Sequence, residues 1–278
     1  MRGVLVFLWV VPLALRGQQV APWNPDANGD GCVTTSDLIS LLNVFGLCPE
    51  PLALPCTDST AFVCGDTVIF DAHGYATVLI GNQCWFAENL RTSVYRNGDS
   101  IPAGLSDSGW ITTTSGATAT YGEGSSACQD DSPTVEACDE GQSIEAFGRL
   151  YNWYAVDDAR GLCPSGWHVP TDGEWTALAD HLTSQGFNGT EGTALKATTG
   201  WTDNGNGSDD VGFSAAPGGN RYHDNGGFSS VGFIGYWWTA SSASGVAWSR
   251  ALTNGLPGVW PNTQPLRDGF SVRCLLGE

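Results

Sequence analysis

The stretch "VPTDGEW", residues 169–175, marks the start of a helix. Thr171 can cap its N-terminus, and Glu174, three residues on, can reach back to the cap as a capping box. Trp175, Leu178 and Leu182 then fall on one face, and the helix is predicted to run to about Ser184. Working outward, "FGRLYNWYAV" at 147–156 reads as a buried aromatic segment, and residues 97–146, rich in Gly, Ser, Thr and Asp, read as long loops. Residues 67–90 read as β-strands with a glycine-containing turn at Ala72–Gly74. Downstream, residues 186–230 read as a second long loop region. "GYWWTASS", "GVAWSRALT" and "GFSVRCLL" read as short strands separated by turns. One helix framed by strands and long loops predicts an α+β domain. A 41% hydrophobic content supplies enough core for one such domain and a small helical appendix. Loops this long in a compact domain carry function or are covalently stapled.

The N-terminal residues read as a secretory signal. Arg2 precedes the apolar run "GVLVFLWVVPLAL", which is too short to span a bilayer comfortably, with cleavage placed after Gly17. Removing residues 1–17 leaves nine basic residues against 29 acidic, a net charge of −20. Such a surface repels nucleic acid and anionic lipid, and no later apolar stretch is long enough to insert in a membrane. The only lysine is Lys196. All nine cysteines lie beyond the signal, and a secreted chain with this many forms disulfides, with at least one thiol left over. Cys128 and Cys138 bracket a short acidic insert, and Cys64 and Cys84 flank the predicted hairpin. The leftover thiol is expected among Cys32, Cys48 and Cys56.

Residues 26–37, "DANGDGCVTTSD", carry oxygen ligands at calcium-loop spacing. Asp26, Asn28 and Asp30 stand at positions 1, 3 and 5, Gly31 allows the turn at 6, Cys32 offers its carbonyl at 7, and Asp37 closes the loop at 12. The loop resembles one dockerin-type repeat, so Ca²⁺ is the expected ion. The residues that follow, with Leu38, Leu41, Leu42 and Phe45 on one helical face, could meet a surface partner. The segment spans 18–47 and is followed by a Cys/Pro-rich linker at 48–61 and the large domain at 62–278.

Several motifs in that domain occur together and in order: "NQCWFAENLRTSVY", "YNWYAVDDARGLCPSGWHVPTDGEW", "GFSAAPGGNR", "GYWWTASS" and "GFSVRCL". They resemble the Fibrobacter succinogenes major paralogous domain family of secreted bacterial proteins, which is similar to C-type-lectin-like domains. The resemblance implies a C-type-lectin-like fold in which Cys163 and Cys274 are bonded. It also implies that Trp237 and Trp238 stand on opposite faces of a strand, one in the core and one outside. Function is then expected to be recognition or adhesion: a glycan or protein ligand held by the loops, without catalysis. Trp248, Trp260 and the acidic loop residues Asp203, Asn204 and Asp209 are the candidate contacts. "QPL" at 264–266 and "WTDN" at 201–204 depart from the lectin calcium–sugar triplets. Two other readings stand beside this one: a structural cell-surface component, and an oxidase resembling formylglycine-generating enzymes, which would need a reactive cysteine pair.

Overall fold

The computed structural model describes residues 62–124 and 128–277. The predicted signal, calcium loop (Asp26, Asn28, Asp30, Cys32, Asp37), following helix and linker lie outside the described residues.

The capping box forms as the sequence predicts. Thr171 Oγ1 accepts from the Glu174 N–H at 3.2 Å, and the Glu174 carboxylate accepts from the Thr171 N–H at 2.7 Å. The helix they start, α4, runs Asp172–Leu182 and ends in a π-turn at Thr183–Phe187, where Gly186 takes φ +100°. Trp175, Leu178 and Leu182 are buried. The first turn of α4 is pinned sideways: Arg250 donates to the Asp172 carboxylate through Nε at 2.9 Å and to the Thr176 hydroxyl through Nη2 at 2.8 Å.

Two sheets carry the fold. The larger has five strands in the order β12 (Trp260–Pro265), β11 (Val246–Thr253), β10 (Ile234–Ala243), β8 (Gly218–Arg221), β9 (Phe228–Val231). The smaller has the order β3 (Thr77–Ile80), β4 (Gln83–Phe86), β13 (Leu275–Leu276), β7 (Trp167–His168). Two short ribbons complete the set: β1 (Val68–Phe70) with β2 (His73–Tyr75), and β5 (Thr118–Ala119) with β6 (Leu150–Tyr151). The architecture is α+β, mostly sheet, as expected.

Alternation along two strands divides the core. On β4, Trp85 joins a cluster with Trp175, Phe213 and Leu252, whereas Phe86 joins one with Tyr151, Trp167 and Phe270. On β10, Trp237 enters the first of these clusters and Trp238 the second. Successive side chains of a strand point to opposite faces, so a strand between two clusters buries both. The expectation that one of Trp237 and Trp238 stands outside is thereby overturned: both are 0% exposed. Their indole N–H groups are satisfied, Trp237 by Asn89 Oδ1 at 2.8 Å and Trp238 by Tyr151 O at 2.7 Å.

The regions read as loop contain more order than composition suggested. Residues 97–146 hold helix α1 (Asp107–Thr112), capped by Ser106, and most of α2 (Glu140–Phe147), capped by Asp139. Residues 186–230 hold α5 (Glu191–Leu195), β8 and most of β9, and the aromatic segment at 147–156 supplies β6 and the short α3 (Trp153–Val156). Of "GFSVRCLL" only Leu275–Leu276 forms a regular strand, while Gly269, Phe270 and Ser271 make single bridges to three different partners.

All six described cysteines are bonded: Cys64–Cys84, Cys128–Cys138 and Cys163–Cys274. The last joins residues 111 apart with Cα atoms at 5.9 Å. It ties the segment that enters β7 to the one that enters β13.

Candidate ligand-binding surface

The acidic loop at 203–210 forms a wall between two depressions. It begins after the buried Trp201, whose indole N–H donates to Ala215 O at 3.0 Å. Asp203, Asn204 and Asp209 all adopt φ between 51° and 59°, a region that Asn and Asp tolerate better than most residues. Gly205 and Gly207 bring the loop against neighbouring backbone. An added Cβ on Gly205 would strike Asn254, and one on Gly207 would strike the carbonyls of Thr193 and Lys196.

On one side of the wall is a shallow hollow of about 200 Å³, lined by Asn204, Asn206, Asn254, Leu256 and Pro257 with Lys196 beneath. Lys196 is buried without a carboxylate partner. Its ammonium donates to Thr253 O at 3.0 Å and Leu256 O at 3.3 Å and lies 5.2 Å from the Trp201 ring centre. Burial lowers its pKa. The lysine therefore fixes the 253–256 turn rather than presenting charge to solvent. Leu256, in the lining of this hollow, is exposed, and so is Trp260 at the start of β12, by 47%.

On the other side is a deeper cavity of about 390 Å³ between α2, the segment after β4 and the loops at 197–200 and 214–217. Its floor holds Arg273, 0% exposed and without a carboxylate in salt-bridge range. The guanidinium donates to Asn89 Oδ1 at 2.8 Å, Phe86 O at 3.0 Å and Ser214 O at 2.9 Å, and lies over the Phe213 ring at 4.4 Å. Burial pulls its pKa down to about 9, against the pull of Glu88 and Asp209, so it stays charged at neutral pH. Asn89 is the hub beside it. Its Oδ1 accepts from both Trp237 and Arg273, while its amide nitrogen donates to Phe147 O at 2.9 Å. Arg91 stands on the wall between Glu88, at 2.7 Å, and Glu145, at 3.0 Å.

The sequence-derived contacts are thus divided. Asp203 and Asn204 border or adjoin the shallow hollow. Asp209 lines the cavity, where its carboxylate is already engaged by the Ser214 N–H at 2.7 Å and hydroxyl at 2.6 Å. Trp248 and Trp260 lie on strands, not loops. The register places Trp248 opposite Thr263 and Trp260 opposite Ala251, so the two indoles occupy opposite faces of the sheet and cannot grip one ligand together. Sequence reading missed Asn89 and Arg273. The available signal was an arginine inside the otherwise apolar run "GFSVRCLL".

The described residues form a disulfide-stapled α+β scaffold with internally bonded loops around two polar depressions. The chain belongs to the Fibrobacter succinogenes major domain family, which it matches over residues 78–275. No curated protein and no solved structure matches it.

Proposed function

We propose that this is a secreted or cell-surface recognition protein, non-catalytic, whose C-type-lectin-like domain holds a glycan or protein ligand through the loops between Gly186 and Arg267. The observation that carries this reading is the pair of polar depressions sharing one loop wall. Each is braced from below by a buried cation that bonds backbone carbonyls, Lys196 under one and Arg273 under the other. Loops held this way need little ordering on binding, and preorganisation is a main source of affinity at such surfaces. Trp260, on β12 a few residues after the turn that closes the shallow hollow, supplies an exposed aromatic surface. An oxidase resembling formylglycine generators would need two reactive thiols, and the six described cysteines are all in disulfides. The N-terminal loop, with Asp26, Asn28, Asp30, Cys32 and Asp37, binds one Ca²⁺ and serves attachment rather than recognition.

The test is to screen the full chain on glycan and protein arrays beside a double variant, Trp260→Ala with Asn204→Gly, glycine keeping the positive φ of that position. We expect a defined ligand, lost or weakened about tenfold in the variant at unchanged Tm. Self-association with no ligand would favour a structural component of the cell surface and sink the recognition reading. Titration with Ca²⁺ should show one site, abolished by Asp30→Ala.

A further inference from the structure

The geometry points to the cavity over Arg273 as a pocket for a single neutral sugar ring, bound through its hydroxyl groups without calcium. This rests on the recognition reading and narrows it to a ligand chemistry. The volume, about 390 Å³, is at the small end of ligand pockets, which span about 300–1,000 Å³, and suits one ring rather than a chain.

The lining selects by charge. Two guanidiniums, Arg91 and Arg273, face three carboxylates, Glu88, Glu145 and Asp209. Each carboxylate is already held: Glu88 by Arg91 and His73, Glu145 by Arg91, and Asp209 by Ser214. A free anion would meet those carboxylates, and a free cation would meet the two guanidiniums. A hydroxyl group both donates and accepts, so it can use the carboxylate lone pairs and the guanidinium N–H groups that remain. Thr198 and Thr199, both exposed, bring hydroxyl groups to the cavity lining beside the charged side chains. The pocket offers no exposed aromatic face, because Phe147 is buried. Recognition is therefore by polar contacts at the ring edge rather than by stacking. Calcium is not needed, since the described residues contain no group of three or more His, Cys, Asp or Glu side chains placed to hold a metal.

The experiment is saturation-transfer NMR and calorimetry on the full chain with neutral methyl glycosides, methyl glucuronide and inorganic phosphate, each with and without chelator. Thr199→Trp, a substitution at an exposed position on the cavity mouth, blocks entry without touching the core. Its fold is checked by circular dichroism and Tm. At least one neutral glycoside should bind, unaffected by chelator, and Thr199→Trp should weaken it by about tenfold or more. Leu79→Ala, at an exposed position outside the cavity lining, should leave that binding unchanged. Preference for methyl glucuronide or phosphate, loss of binding with chelator, or binding that survives Thr199→Trp overturns the proposal. If the arrays find a protein ligand and no neutral glycoside binds, this inference falls and the recognition reading stands. If neither finds a ligand, both fall.

Discussion

Glu174 shows how much one side chain can coordinate. Its carboxylate closes the capping box on Thr171 and also meets His168 Nε2 at 2.9 Å, while His168 Nδ1 meets Gly277 O at 2.9 Å. The start of α4 is thus bonded to the end of the described chain. Burial raises the Glu174 pKa, but the Thr171 N–H, the Thr171 hydroxyl and His168 together outweigh it and hold the carboxyl below its ordinary value. A depressed carboxylate stabilises the fold above its unfolded-state pKa, about 4.3, and that contribution is lost as pH falls through the lower folded-state value. Wild type should therefore melt above Glu174→Gln at pH 7, and the gap in Tm should close on acidification below about pH 4. A gap that stays constant from neutral to acid would show that the charge is not what matters. The capping box was legible from "TDGEW" because it is a local pattern. His168 and Gly277 are 109 residues apart, and no local pattern reports their meeting.

At the scale of elements, β10 explains why aromatic density in this sequence exceeded what a one-faced sheet requires. Trp237 packs beside Trp175 with ring centres 6.2 Å apart, and Trp238 packs on Phe270 at 4.4 Å. Replacing either with Ala should cost about 3–5 kcal/mol, read as a drop in the urea midpoint. A surface tryptophan would give a change within about 0.5 kcal/mol. If one of the two variants falls in that smaller range, the two-sided burial is wrong. The opposite faces of the two indoles were legible, since strand alternation is a local property. Their common burial was not, because the second covering layer comes from distant segments. The same limit hid α1 and α2, which lie in a Gly- and Ser-rich stretch and whose caps, Ser106 and Asp139, look like any polar loop residue. Of the candidate contacts, Asn204 lines the shallow hollow and Asp209 the deeper cavity. The cavity itself was not legible, because Asn89, Phe147, Ser214 and Arg273 meet only in the folded chain.

At the scale of the whole molecule, the Cys163–Cys274 bond closes 111 residues, enough for about 4–5 kcal/mol of stabilisation in the chain-entropy picture. The double variant Cys163→Ser/Cys274→Ser should lose most of its cooperative unfolding transition at 37 °C. The same replacement at Cys128–Cys138, which spans only 10 residues, should cost less. Equal losses would mean that geometry at the bond, not the closed loop, sets the effect. The long staple has a further consequence if the protein works as an anchor under tension. Force applied to the two ends of the chain passes from Cys163 to Cys274 through sulfur. The 111 residues between them, which would stretch to about 380 Å as an open chain, never enter the load path. That loop includes the shallow hollow, the acidic wall and the half of the deeper cavity's lining that runs from Ala197 to Arg273. A pull strong enough to unravel the N-terminal strands would therefore reach a covalent stop before it paid out any of the chain that forms the shallow hollow and the acidic wall.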